Sequence, residues 1–382
     1  MTTPTTPHPI YLDYNATTPI AAEVFEAMVP FLRECFGNPS SSHPYGRRAA
    51  EAVVQARDEV AVLLNAQAEE VIFTGCATEA NNLALRGVAR ALRHKGRHLI
   101  ISAVEHPSVQ APAERLRAEG WEVTVLPVDG CGRVAPQQLA AALRSDTVLV
   151  SVMHANNEVG TLQPIGELSR LAHAAGVLFH TDAAQSIGKV SVDVHELGVD
   201  LLTLAGHKFY APKGVGALYV RRGTPLDPVL VGAGQEHGLR PGTENVPHLV
   251  ALGAAARLAH ARLPQATEQL RSLRDALHAQ LNTVIPGLQL NGHSDERLPN
   301  TLNISFPGVS SRDLLARAPQ IAASVGSACH EEGDAVSGVL AAMGVDAARA
   351  RGAVRLSLGL ASTEGEITAA GHALIEAWLA RR

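Results

Sequence analysis

Between about residues 68 and 220 the chain alternates short β-rich apolar runs with helical stretches, and this alternation restricts its fold more than any other feature. Strand-like runs fall at residues 71–74, 98–102, 121–127, 147–154, 177–181, 201–205 and 217–220. Helical patterns separate several of them, at 79–95, after Pro107, at 136–144 and at 165–175. Strands spaced by helices of roughly 10–15 residues form βαβ units, which build a mostly parallel sheet. Such a sheet is covered on both faces, so its strands read as unbroken apolar runs, as "DTVLVSVM" and "GVLFHTD" do.

The texture changes after about residue 245. A long Ala/Leu/Arg-rich helix is expected over 250–281, interrupted near Pro264. Strands follow near Leu288, at 301–306 and at 355–358, with helices from Ser337 and over 364–379. This part reads as a smaller α+β domain. The expected division is an N-terminal segment (1–14) packing on the small domain, a large domain (15–255) and a small domain (256–382).

Charge excludes some functions. The 37 acidic and 32 basic residues give a net charge of −5, so neither nucleic acid nor an anionic membrane is an expected partner. No apolar run reaches the ~18 residues of a spanning helix. Residues 1–9 lack a basic start and an apolar core, so they are not read as a signal peptide, and a cytoplasmic location is expected. Cys35, Cys76, Cys131 and Cys329 lie far apart without a CxxC pair, so neither a disulfide framework nor a metal site is expected.

In an open α/β sheet, ligands bind beyond the carboxyl ends of the strands. Several polar clusters fall there. "TGCATEANN" follows the run at 71–74 and leads into a helix, whose free N–H groups suit a phosphate; Thr78 is equally a plain N-cap with Glu79 in the first turn. Asp182 in "HTDAAQ" is either a cap or a catalytic carboxylate. His106 in "EHPSV" is a loop histidine. Lys208 in "AGHKFYAPKG" sits in an apolar stretch. A buried lysine tends to lose its proton, and Schiff-base chemistry needs the neutral amine. Together, a phosphate-binding helix start, an Asp, a His and a desolvated Lys match the needs of pyridoxal phosphate.

The motifs "YLDYNATTP", "MHANNEVGTLQPI", "HTDAAQSIGK", "GHKFYAPKGVGALYVRR", "RPGTEN", "GSAC" and "VRLSLG" occur in that order. Through them nearly the whole chain resembles the cysteine desulfurases, pyridoxal-phosphate enzymes of the aspartate-aminotransferase fold group. "GQEHGLRPGTEN" and "ACH" are also similar to the selenocysteine lyases. The resemblance implies a fold type I enzyme, with a mostly parallel seven-stranded sheet flanked by helices plus a smaller α+β C-terminal domain. It implies that Lys208 forms the Schiff base with the cofactor. Asp182 is to pair with the pyridine nitrogen, and Gln185 with the phenolic oxygen. His106 is to lie over the ring and shuttle protons. Ala77, Thr78 and His207 are to line the phosphate, with Thr243 reaching in from the second subunit of a homodimer. Asn157 and Arg355 are to hold the substrate carboxylate. Cys329 is to be the nucleophile that receives sulfur from L-cysteine. Its segment "SVGSACHEEGDAVSG" suits a mobile loop that then meets a sulfur-acceptor protein, such as an iron–sulfur scaffold.

Three departures from the family pattern stand out. Cys76 replaces a residue of the phosphate loop and is expected to be a small packed residue. Ala205 removes a hydroxyl two positions before His207. The chain stops at Arg382, without the C-terminal extension that docks the scaffold in some relatives. Two rival functions remain open at this point: a selenocysteine lyase, and a non-catalytic pyridoxal-phosphate-binding assembly partner.

Overall fold

The computed structural model describes residues 8–325 and 337–381; Cys329 lies outside the described residues. Twelve strands are present among them: β1 (Ile10–Tyr11), β2 (Val71–Thr74), β3 (His98–Ser102), β4 (Glu122–Leu126), β5 (Thr147–Ser151), β6 (Leu178–Asp182), β7 (Leu201–Ala205), β8 (Gly216–Val220), β9 (Gln289–Asn291), β10 (Thr301–Ser305), β11 (Ile321–Ala322) and β12 (Ala353–Ser357).

The alternating region forms one seven-stranded sheet in the order β2-β8-β7-β6-β5-β3-β4. The strands β7, β6, β5, β3 and β4 run parallel. β8 lies antiparallel between β2 and β7. β3, β5 and β7 are buried along their whole length, which explains their continuous apolar character. One apolar cluster fills one side of this sheet (Phe73, Val150, Phe179, Leu204, Tyr219) and a second fills the other (Ile72, Leu99, Leu149, Leu218). Adjacent residues of a strand point to opposite faces, so Ile72 and Phe73 belong to different clusters.

The mostly parallel sheet flanked by helices is as the alternation predicts. A separate antiparallel sheet, β12-β10-β9, follows the long helix. Its core includes Leu302, Ile304, Val354 and Leu356, covered by Leu374 and Trp378 of the helix Glu364–Leu379. That helix starts with a capping box, Thr363 and Glu366 satisfying each other's backbone N–H groups. β1 pairs in parallel with β11, which brings the N-terminal residues beside this sheet.

The long helix differs from expectation. It runs unbroken from Val246 to Val284, with Pro264 inside it. Proline leaves the carbonyl four residues earlier without a donor. Here that residue is His260; it and Pro264 are both exposed, so the carbonyl is open to solvent and the helix can continue. The helix spans about 58 Å at ~1.5 Å per residue. Its first part packs Leu249, Leu252 and Ala255 into the large-sheet core, and its later part packs Leu270, Leu277 and Leu281 against the small sheet.

Candidate active site

Every strand-end cluster of the large sheet faces the same edge. Thr74, Ser102, Ser151, Asp182 and Ala205 are the last residues of β2, β3, β5, β6 and β7. Gly216 opens the antiparallel β8 and therefore lies at that edge too. A Cβ on Gly216 would stand 3.1 Å from the Cys76 carbonyl carbon and 3.2 Å from the Ala77 nitrogen. Glycine there lets the helix Ala77–Leu92 bring its N-terminus down onto the sheet.

Asp182 is buried. Its Oδ1 accepts from the Ala184 N–H at 2.9 Å and its Oδ2 from Asn81 Nδ2 at 2.7 Å. Asn81 Nδ2 also donates to Ser108 Oγ at 2.8 Å. The Ser108 N–H in turn donates to His106 Nδ1 at 3.1 Å, so His106 is the N-cap of the helix Pro107–Ala118. That bond makes Nδ1 an acceptor, which puts the proton of the neutral ring on Nε2. Partial desolvation lowers the His106 pKa, as does the Lys208 charge, with Asp182 opposing. Beneath this loop Glu105 is buried, accepting from Ser102 Oγ and the Met153 N–H; desolvation raises its pKa to about 8.

Lys208 leaves the end of β7. Its Nζ donates to the carbonyls of Asn15 (2.5 Å) and Ala16 (2.8 Å). Burial, reinforced by the Arg355 charge, lowers its pKa to about 8, against the pull of Asp182 and Asp13. Roughly a fifth of such an amine is neutral near physiological pH, and about half at a pH equal to its pKa. Two residues on, Tyr210 adopts a left-handed backbone (φ 73°) that a side chain makes unfavourable. Its hydroxyl accepts from the Leu360 N–H at 2.7 Å, which holds the turn in place.

Gln185 sits on the turn after Asp182, with Nε2 on the Asn15 carbonyl at 2.9 Å. Arg355 on β12 donates from Nη1 to the Asn157 carbonyl at 2.9 Å and from Nη2 to Asp13 Oδ1 at 2.6 Å. Its Nε is buried without an acceptor among the described residues. A buried unsatisfied donor costs about 1–3 kcal/mol, so this fork is incomplete without a ligand. A carboxylate can take Nε and Nη2 together once Asp13 yields.

The loop between β2 and the helix Ala77–Leu92 corrects two expectations. The N-cap of Ala77–Leu92 is Cys76, so Thr78 lies one turn position inside the helix and is not the cap. Cys76 is exposed rather than packed in the core. Thr78 is exposed, Ala77 is half-buried, and Glu79 reaches back to the Gly75 N–H and to Arg240. His207 Nδ1 lies 3.1 Å from Thr17 Oγ1; desolvation and the nearby lysines lower its pKa to about 4. Ala205 is buried and packed in β7. Thr243 is exposed and lines a cleft of about 140 Å³ with Thr74, Gly75 and Arg240.

Asp182, His106, Lys208, Gln185, Asn157 and Arg355 thus share one region. Asn15, Asn81, Asp13 and Lys189 are also there and escaped the sequence reading. Asn15 lies inside "YLDYNATTP" and Lys189 ends "HTDAAQSIGK", so the motifs contained them without singling out their roles.

A sheet edge that gathers a desolvated lysine, a buried carboxylate and an arginine fork defines the aminotransferase-like class of α/β enzymes. The Aminotransferase class-V family matches residues 10–369, and the chain belongs to the cysteine desulfurases within that family. It is 47% identical to "Cysteine desulfurase IscS" of Dictyoglomus turgidum, over 94% of this chain and 91% of that protein. A solved "NifS-like protein" superposes with a TM-score of 0.91 at 37% identity, covering 96% of this chain and 98% of the other. The structure described as "SspA in complex with cysteine" matches with a TM-score of 0.81 at 37% identity, over 91% and 98%. Among the described residues no helix is long and apolar enough to cross a membrane, and no group of three or more His, Cys, Asp or Glu could hold a metal ion.

Proposed function

We propose that this chain takes sulfur from L-cysteine, releases L-alanine and holds the sulfur as a persulfide on Cys329, with pyridoxal phosphate as cofactor. The observation that carries the reading is Lys208, its amine held on two backbone carbonyls at the sheet edge with a pKa near 8. The residues fit the cofactor. Asp182 is a buried carboxylate with no cation in hydrogen-bonding contact among the described residues, and a protonated pyridine nitrogen would complete it. The helix start at Ala77 and Thr78 presents N–H groups that have no partner within the helix, which suits its phosphate. His207 and Thr243 would add to that phosphate site, and Gln185 would meet the phenolic oxygen.

When bound, pyridoxal phosphate supplies an electron sink for the bonds at the substrate Cα. Arg355, with Asn157 beside it, orients the substrate by its carboxylate. Lys208 is the base placed to take the Cα proton, since near its pKa it carries a free lone pair. His106 presents Nε2–H as a proton donor. The Cys329 thiolate takes the substrate sulfur: an S–S bond forms, the C–S bond breaks, and Cβ gains a proton to give alanine. Cysteine plus thiol therefore equals alanine plus persulfide, with no external oxidant. Cys329 is five residues along the chain from Ser324, whose backbone exchanges two hydrogen bonds with Arg355. The persulfide would pass to an acceptor protein such as an iron–sulfur scaffold. Incubation with L-cysteine should yield alanine and one extra sulfur on the Cys329 peptide, read by mass spectrometry. Alanine release with that peptide unmodified would sink the reading.

We also infer a homodimer with shared sites. Phe36 and Tyr45 are exposed with their rings 5.7 Å apart, and Val231 is 83% exposed. Such apolar surface calls for a partner. With Thr243 acting across the interface, a heterodimer of Thr243→Ala and Lys208→Ala chains has one intact site. Isolated with two affinity tags, it should show about half the wild-type turnover per dimer. A heterodimer with only about half the turnover of the Thr243→Ala parent would mean Thr243 acts within its own chain.

A further inference from the structure

Lys189 is one of four lysines in the chain, with Lys95, Lys208 and Lys213. It is 6% exposed, and no carboxylate pairs with it among the described residues. Burying an ammonium without a counter-ion is unfavourable. Desolvation, and then the Lys208 and Arg355 charges, drive its pKa well down. A position that only needed apolar packing would be better served by Leu or Met. The polar group is therefore explained by what it touches.

It touches two side-chain carbonyl oxygens. Nζ donates to Gln185 Oε1 at 3.0 Å and to Asn15 Oδ1 at 3.4 Å. Both orientations are settled by their other contacts. Gln185 Nε2 faces the Asn15 backbone carbonyl, which can only accept. Asn15 Nδ2 donates to Thr301 Oγ1 at 2.8 Å and to the Asn157 carbonyl at 3.3 Å, which leaves Oδ1 for Lys189 and for Asn300 Nδ2 at 3.0 Å. The same Asn15 carbonyl that takes Gln185 also takes the Lys208 amine. Lys189, Gln185, Asn15 and Lys208 are thus joined in one hydrogen-bonded set. Within it Gln185 has one Nε2–H left over, and no second acceptor takes it among the described residues.

We propose that Lys189 is a positioning residue: by holding Gln185 Oε1 it keeps the free Nε2–H of Gln185 aimed at an anionic oxygen of the bound cofactor. The inference rests on the pyridoxal-phosphate reading above. Among the described residues the Gln185 amide is held at two points, the Asn15 carbonyl and Lys189. Without Lys189 its Oε1 is a buried acceptor with no donor, and the amide rotates to find one. The donated hydrogen bond to the cofactor oxygen is then lost. That oxygen becomes a stronger base, and the proton it shares with the Lys208 linkage is bound more tightly.

The readout is the pH titration of the near-visible absorbance of resting holoenzyme, which a merely structural lysine would not move. Lys189→Met should raise the midpoint by about one pH unit, the size expected for one lost hydrogen bond to a charged group. Gln185→Ala should give a shift of similar size. The double variant should shift no further, because both changes remove the same hydrogen bond. If Lys189→Met does not accumulate as folded protein, Lys189→Gln, which keeps an amide donor and most of the length, enters the same cycle; a shift smaller than that of Gln185→Ala is then expected. An unchanged midpoint in a folded, cofactor-loaded Lys189 variant overturns the proposal. Shifts that simply add in the double variant overturn it too, since the two residues would be acting separately. Failure of the underlying reading looks different: wild-type protein would then show no near-visible band to titrate.

Discussion

Cys329→Ser is expected to abolish turnover of L-cysteine, by about 10³-fold or more, while leaving substantial turnover of L-selenocysteine. Thiol sulfur is a poor electrophile, and lifting it off carbon as sulfane sulfur needs a thiolate to attack it. A serine hydroxyl is hardly ionised at neutral pH and forms no stable counterpart of a persulfide. Selenium is more polarisable and leaves carbon more readily, so a protein nucleophile is less necessary. The variant keeps Lys208, Asp182 and Arg355, and therefore should still bind pyridoxal phosphate and change its spectrum when cysteine is added. Mass spectrometry of wild-type protein after L-cysteine should put the extra sulfur on Cys329 and not on Cys35, Cys76 or Cys131. The exposed Cys76 is the informative control, since it stands at the N-terminus of the helix Ala77–Leu92. Undiminished desulfuration by the Ser variant, with persulfide on Cys76, would move the nucleophile to the phosphate loop.

Lys208→Ala is expected to lose the near-visible absorbance of the resting enzyme and at least about 10³-fold of its turnover, because one change removes both the covalent anchor and the Cα base. Borohydride reduction of wild-type holoenzyme, followed by peptide mapping, should place the pyridoxyl mass on Lys208 among the four lysines. The wild-type amine carries its own pH signature. Its pKa near 8 lies well below that of an ordinary exposed lysine near 10.4. In protein stripped of cofactor, labelling of Lys208 by a small amine-directed reagent should rise about tenfold per pH unit below pH 8 and level off above it. Labelling at exposed Lys95 and Lys213 provides the comparison within the same sample. A Lys208 profile still climbing steeply at pH 10 would show that its amine is not desolvated.

Neighbouring residues dictated much of this architecture. The runs at 71–74, 98–102 and 201–205 coincide with β2, β3 and β7, because a strand buried on both faces admits almost only apolar residues and ends where they end. The chemical endpoints were legible for the same reason: Asp182 and Lys208 stand where apolar runs stop. Local rules misjudged two positions. Pro264 does not interrupt the long helix, because the face it frees is open to water and packing on both cores holds the rest. Thr78 is not a cap, because the helix already begins at Ala77, with the extended residue Cys76 before it as N-cap.

The βαβ alternation from about residue 68, the mostly parallel sheet and the places of Lys208, Asp182 and Arg355 in their motifs follow from the sequence, since periodicity and motif act over a few residues. The helices Ala22–Arg33 and Pro44–Leu64 are not read from it. The surroundings of Lys208, Asp182 and Arg355 do not follow from it either. Asn15 reaches the site across 193 residues to hold Lys208, and Asp13 crosses 342 to meet Arg355. Asn81 comes across 101 residues to Asp182. Contacts at such separations exist only after the sheets and the long helix have packed. Burial then decides the chemistry. The lysine that reads as an ordinary cation in the sequence becomes an amine that gives up its proton far more readily, because tertiary structure takes away its water and places Arg355 nearby.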